Sequence, residues 1–149
     1  MLAFLLVAHL AAAAENATIP ADVELIFAAG EGNATRVKEL LDAGASVAHR
    51  SDAGETALHV AGIFGDRATV DALLAADPPP DVNAQTFGGE WKKMSVLHWF
   101  VFHLHAEIVP LLIAAGANPN LPNDDGLTPL DAAKQLAEGL KAEGDSRYE

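Results

Sequence analysis

Apolar residues recur along the chain in short stretches that come in pairs. The first member of each pair centres on a leucine, and the second begins twelve residues later with a valine followed by apolar residues at i+3 and i+4. This spacing places the apolar side chains on one face of a helix. The pairs start at Leu25 with Val37, Leu58 with Val70, and Leu97 with Val109. The pattern therefore predicts helical hairpins, each too small to bury its apolar face alone.

Four leucines define the period of this pattern. Leu25 and Leu58 lie 33 residues apart, and Leu97 and Leu130 are separated by the same interval. A constant period with two helices per unit is typical of stacked repeats, in which each unit buries its apolar face against its neighbours. We therefore expect these leucines to lie in a row. The fourth copy loses the pattern after Ala133, which predicts a partial, terminal unit.

The middle interval is longer than the others, at 39 residues, and its extra residues fall in two places. Residues 78–80 are three prolines, which favour a stiff extended link. The second insertion lengthens the loop over residues 85–94, which combines aromatic residues with two lysines. This loop could reach a partner as an extended finger, or it could pack back on its own repeat. Its large side chains are Phe87, Trp91, Lys92, Lys93 and Met94.

Three motifs at the anchoring leucines carry a resemblance to a known family. They are Thr56-Ala57-Leu58-His59, Ser95-Val96-Leu97-His98 and Thr128-Pro129-Leu130-Asp131. With their period and the Gly-Ala pairs that end two of the second helices, they resemble the ankyrin repeat. The resemblance covers residues 23–140 and implies an all-α solenoid of helix-turn-helix units with finger loops, with three full repeats and a partial fourth. It further implies a non-catalytic module that binds protein partners.

The resemblance also implies which surface binds. In ankyrin repeats, positions two, five and six after the anchoring leucine face a concave groove, and here most of these positions are apolar. An exposed apolar patch with aromatic residues is typical of a binding site. The predicted partner-binding residues, including the finger loop, are Phe27, Val60, Ile63, Phe64, Phe87, Trp91, Trp99, Phe102 and His103. Alternatively, an N-terminal helix or the long loop covers the groove, and the chain is a structural or regulatory fragment that caps or tethers a larger assembly.

Two local expectations concern the junctions between units. Phe100 and Val101 stand where the family has two small residues, so they would push neighbouring helices apart unless Ala61 and Gly62 opposite make room. Asn83 and Asn120 occupy the Val-Asn position of the family, which implies hydrogen bonding across the turn between repeats. The resemblance also allows asparagine hydroxylation at these two positions.

Charge and composition exclude several classes of function. The chain has 9 Lys and Arg against 21 Asp and Glu, a formal net charge of −12, which disfavours nucleic acid as a partner. The absence of cysteine excludes disulfides and thiolate chemistry. His59 and His98 belong to the Leu-His motif and His105 to a break between helices, so His103 alone makes no metal site. We therefore predict no catalytic residue, no metal and no cofactor.

The amino terminus leaves the compartment open. Residues 1–14 are apolar and uncharged, too short to span a bilayer but similar to the core of a signal peptide. The alternative is that this segment stays on the protein and caps the first repeat. Secretion would make Asn16 and Asn33 possible glycan acceptors, whereas retention would favour the cytoplasm. We interpret residues 15–22 as a lead-in and residues 141–149 as a polar tail.

Overall fold

A computed structural model describes residues 19–88, 90 and 92–142 of the 149-residue chain. These residues form seven α-helices and no strand, with one isolated antiparallel bridge between Gln85 and Ser95. The helices are α1 (Ala21–Gly30), α2 (Ala34–Asp42), α3 (Ala57–Phe64), α4 (Arg67–Leu74), α5 (Val96–Phe102), α6 (Val109–Ala114) and α7 (Pro129–Ala142). The predicted segment 1–14 and the residues Asn16 and Trp91 lie outside this description.

The helices are arranged in two rows. The inner row consists of α1, α3, α5 and α7, each packed on the next, while α2, α4 and α6 each pack on the inner helix of their own hairpin. In the outer row, α2 also packs against α4. Leu25, Leu58 and Leu97 are at most 2% exposed at the centre of this stack. The predicted all-α solenoid of stacked hairpins is therefore confirmed.

The inner helices begin where they do because of a repeated capping arrangement. The His59 ring Nδ1 accepts a hydrogen bond from the backbone N–H of Thr56 at 3.2 Å, and His98 does the same for Ser95 at 3.2 Å. In both helices the Thr or Ser side chain in turn accepts from the backbone N–H of the histidine. These reciprocal bonds satisfy N–H groups that a helix start leaves unpaired. The motif histidines His59 and His98 are thus structural.

The large ring at the second junction is accommodated by a glycine. Phe100 on α5 is fully buried against α3. A Cβ added to Gly62 would lie 3.2 Å from Cδ2 of the Phe100 ring, so Gly62 leaves little more room than the ring needs. The expected separation of α3 and α5 is avoided because the volume added on one helix is removed from the other.

A second inter-repeat contact comes from an asparagine. The Asn83 side chain donates to the Gly116 carbonyl at 3.0 Å and accepts from the Asn118 N–H at 2.6 Å. The expected hydrogen bonding across the turn is therefore confirmed for this residue. Asn120, at the same position of the next unit, is exposed, and its own backbone N–H donates to the Asn118 side chain.

The two ends of the stack differ in chemistry. In the first hairpin, Glu24 and Arg36 form an ion pair at 2.7 Å. The same positions in the second hairpin are the buried residues Ala57 and Thr69. At the other end, Leu130 on α7 is 60% exposed, unlike the three leucines that precede it in the row.

Candidate protein-binding site

Large apolar side chains are exposed where the inner helices end. Phe64 at the end of α3 is 63% exposed, Phe102 at the end of α5 is 61% exposed, and Leu104 just after α5 is 38% exposed. Ile63 and His103 beside them are half-buried. We call these five residues the turn-side patch. Burial of such side chains is worth about 1.5–3 kcal/mol each, so leaving them in water makes this surface a candidate for binding.

The turns that carry the patch are in direct contact. The His105 ring lies against Gly65, and its Nε2 is 3.4 Å from the Ile63 carbonyl oxygen. Phe64 in turn lies over Gly32, where an added Cβ would be 3.2 Å from its ring. The turns after α1, α3 and α5 therefore form one continuous edge, and the patch lies along it.

Two of the predicted groove residues are not on this surface. Val60 is 0% exposed and Trp99 is 1% exposed, so the prediction that they face an open groove is wrong. Val60 packs beside Gly30 of α1, where an added Cβ would be 3.7 Å from the Val60 Cβ. The Trp99 ring packs edge-on against His59 of α3, with centroids 6.1 Å apart. Position two after the leucine thus enters the interface between successive inner helices.

The buried tryptophan supports the patch from beneath. The His103 ring stacks on Trp99 with centroids 5.7 Å apart, and its Nδ1 lies 2.9 Å from the Trp99 carbonyl oxygen. Phe102 meets the His103 ring edge-on at 5.3 Å. These contacts hold His103 in one orientation, so Phe102 projects from a rigid base. Phe27, in the first hairpin, is half-buried.

Leu104 has a backbone conformation that its side chain disfavours. Its φ is +69°, in the left-handed region. The two earlier hairpins have glycines at the same position, Gly32 with φ +67° and Gly65 with φ +65°. A residue with a Cβ is about 1–2 kcal/mol less stable than glycine in this region. Leu104 is therefore an exposed leucine at a position where glycine would make the fold more stable. The sequence pattern marked this position only as a break between helices.

The long loop is tied to the loops on both sides of it. The Phe87 N–H donates to the Ala53 carbonyl at 2.8 Å, and the Asp124 N–H donates to the Lys92 carbonyl at 2.8 Å. The side chains of Lys92 and Lys93 pair with Asp125 at 2.8 Å and Asp124 at 3.5 Å. The positive charges of the two lysines of this loop are thus paired with carboxylates of the next loop. Phe87 remains 53% exposed.

The described residues were also searched for metal-binding clusters, clefts and membrane-spanning helices. Within residues 19–88, 90 and 92–142, no three His, Asp or Glu side chains gather closely enough to hold a metal ion. A cleft of about 550 Å³ lies between the ends of α2 and α4, lined by Leu41, Ala72, Asp77 and other residues, and it contains none of the predicted binding residues. Of the helices that the structure describes, none has the length and apolar character to cross a bilayer.

Comparison with known proteins agrees with the geometry. The family model for the ankyrin repeat matches residues 53–87 and 92–124. The chain belongs to the ankyrin-repeat family. These two matches cover the hairpins α3–α4 and α5–α6 with their loops, and the first hairpin and α7 continue the same stack on either side. Ankyrin repeats are generally modules for protein–protein interaction and are typically non-catalytic.

Curated proteins similar to this ankyrin-repeat chain are much longer than it is. The E3 ubiquitin-protein ligase hecd-1 of Caenorhabditis elegans is 30% identical over 116 residues, which is 77% of this chain and 4% of the ligase. The mitochondrial disaggregase of Bos taurus is 30% identical over 144 residues, 76% of this chain and 21% of that protein. Oxysterol-binding protein-related protein 1 of Mus musculus is 37% identical over 70 residues, 47% of this chain and 7% of that protein. The chain therefore spans at most 21% of the length of these relatives.

Proposed function

We propose that this ankyrin-repeat chain, with residues 23–140 as its repeat domain, captures a protein partner through the turn-side patch. The observation that carries the proposal is the exposure of Phe64 and Phe102, each above 60%, on adjoining turns. Aromatic side chains on a rigid base lose little conformational entropy on binding and dominate the energy of many interfaces. The proposed binding surface is therefore smaller than the predicted groove and is limited to the ends of the inner helices.

Leu104 supports the same surface. A left-handed leucine stores strain that the fold itself does not require, and such strain is found most often at functional sites. Its side chain extends the patch beyond Phe102. The partner would therefore present a concave or groove-like apolar surface to receive Phe64, Phe102 and Leu104 together.

The charges beside the patch indicate the character of the partner. Glu31 and Glu107 are exposed on the edge along which the patch lies, and the whole chain has a formal charge of −12. A partner with basic side chains around its apolar centre would be attracted over a distance of about 10 Å at moderate salt. We therefore expect association to slow as salt concentration rises.

Affinity capture with matched variants tests this function. Immobilised wild-type protein is compared with a Phe64→Ser, Phe102→Ser variant, and the proteins retained are identified by mass spectrometry. Because both side chains are mostly exposed, we expect the unfolding temperature of the variant to stay close to that of the wild type. We expect proteins retained by the wild type to be lost, since the two side chains together contribute about tenfold or more in affinity.

A second variant separates the patch from the finger loop. Phe87→Ser removes an aromatic side chain of similar exposure on the long loop. Loss of the same retained proteins with Phe87→Ser alone would assign binding to the finger loop instead. Undiminished recovery with the Phe64→Ser, Phe102→Ser variant would reject the turn-side patch.

A further inference from the structure

The turn-side patch has one polar side chain among its apolar ones. His103 follows Phe102 directly and precedes Leu104 in the chain, and it is half-buried, whereas its two neighbours are 61% and 38% exposed. The remaining members of the patch, Ile63 and Phe64, have purely hydrocarbon side chains. The imidazole ring of His103 is therefore the side chain through which this surface can form a directional hydrogen bond.

The contacts of the ring determine which of its nitrogens carries the proton. Nδ1 of His103 lies 2.9 Å from the carbonyl oxygen of Trp99. Because a carbonyl oxygen can only accept, the proton of the neutral ring is on Nδ1, and Nε2 has a lone pair that accepts hydrogen bonds. The ring also stacks on the buried Trp99 ring, with centroids 5.7 Å apart. Turning the His103 ring over would break its hydrogen bond to the carbonyl.

Nε2 of His103 is free to accept a hydrogen bond from another molecule. Among the residues that the structure describes, no group donates to this nitrogen, and it is not one of the buried side-chain nitrogens, so it is open to solvent in the free chain. His105 nearby differs, because its Nδ1 lies 3.3 Å from the Glu107 carboxylate and its Nε2 lies 3.4 Å from the Ile63 carbonyl oxygen. Within the turn-side patch, His103 thus supplies the available acceptor.

We propose, resting on the function proposed for the patch, that the partner places a hydrogen-bond donor against Nε2 of His103. A partner that covers Phe102 and Leu104 also removes water from His103, which lies between them in the chain. An acceptor that is buried without a donor weakens binding about 5- to 150-fold. The partner group is therefore a hydroxyl or an N–H within an apolar surface. His103 is a specificity-determining residue, because apolar contacts alone discriminate weakly between partners of similar shape.

Two small aromatic molecules test the acceptor on the free chain. p-Cresol has a ring for the apolar patch and a hydroxyl that can donate to Nε2, and in 4-methylanisole this hydroxyl is methylated. The full chain with ¹⁵N-labelled histidine is titrated with each molecule at mildly alkaline pH and followed by NMR. We expect Nδ1 of His103 to be protonated before the titration. p-Cresol should shift the Nε2 resonance, 4-methylanisole at the same concentration should not, and Phe102→Ser should weaken the p-cresol effect.

Two substitutions at the same position test the acceptor against a protein partner. In His103→Asn the amide can replace Nδ1 as the donor to the Trp99 carbonyl, but no acceptor remains at the position of Nε2. In His103→Gln the longer side chain places an amide oxygen near that position. The probes are proteins retained by the immobilised wild type and lost with the Phe64→Ser, Phe102→Ser variant. His103→Asn should weaken their binding about 5- to 150-fold, and His103→Gln should restore most of it.

The outcomes separate this inference from the function on which it rests. If the Phe64→Ser, Phe102→Ser variant loses no protein that the wild type retains, the proposed function is rejected and the inference with it. If that variant loses proteins that His103→Asn binds as tightly as the wild type, the function stands and the inference is overturned. Equal shifts of Nε2 with p-cresol and 4-methylanisole, or an unprotonated Nδ1 in the free chain, would also overturn it.

Discussion

Acidification should lower the stability of this protein through a buried histidine. His59 is 0% exposed, and its Nδ1 accepts from the Thr56 N–H, which leaves the proton of the neutral ring on Nε2. Burial lowers the pKa of His59 from 6.5 to about 4, and the positive charge of Arg50 adds to this, while the carbonyls of Met94 and Ala84 oppose it. Protonation would place an N–H on Nδ1 against the Thr56 N–H, and the hydrogen bond between them would be lost.

The size and the sign of the effect follow from the two pKa values. Between pH 6.5 and about 4 the unfolded chain binds a proton at His59 and the folded chain does not. Stability is therefore full above pH 6.5 and falls as the pH is lowered to about 4. At about 1.4 kcal/mol per pH unit, the loss from His59 amounts to about 3 kcal/mol. This is a large share of the ~5–15 kcal/mol that stabilises a typical domain.

Urea unfolding followed by circular dichroism at pH 7, 6, 5 and 4.5 measures this loss. His59→Gln is the matched variant, because a glutamine at this position can still accept from the Thr56 N–H without titrating. We expect the free energy of unfolding of the variant to fall less steeply with pH than that of the wild type. Burial also lowers the pKa of His98, so part of the slope should remain. Equal slopes for the two proteins, or an NMR titration of His59 near pH 6.5, would refute the reasoning.

Two further changes test the packing of the stack and the strain at its edge. Gly62→Leu should lower the free energy of unfolding by about 1–3 kcal/mol, because the leucine side chain would overlap Phe100. Gly139 in α7 has open space around it, so Gly139→Ala should raise the free energy of unfolding by about 1 kcal/mol. Equal effects in urea unfolding would disprove the proposed fit. Leu104→Gly should raise the free energy of unfolding by about 1 kcal/mol by removing left-handed strain, and should weaken partner binding; a less stable variant would show that Leu104 serves the fold.

The starts of the inner helices could be predicted because their causes are local. A Thr or Ser three residues before His59 or His98 forms a cap whatever lies nearby, so the motif predicts the helix start. The pairing of Gly62 with Phe100 could also be expected, since a large residue in a regular stack needs a small one opposite. The period of the leucines then predicts the order in which the helices stack.

The exposure of the predicted binding residues could not be predicted from local motifs or from the repeat period. Val60 and Phe64 lie on the same short helix and are both apolar, yet one is buried beside Gly30 and the other is in water. On α5, Trp99 is likewise buried and Phe102 is exposed. Which side of an inner helix meets the next unit depends on the angle and spacing of stacked hairpins, and helical periodicity within one unit does not define these.

The sequence by itself thus determined that the chain forms capped helical hairpins that stack into an ankyrin-type solenoid, because each of these features depends on residues close together in the chain or on a regular period. Only the tertiary structure decided that Val60 and Trp99 are core, that Lys92 and Lys93 are paired with carboxylates, and that Leu130 is uncovered. Each of those outcomes depends on which side chains from other units come within contact distance, and that distance is set by the packing of the whole stack.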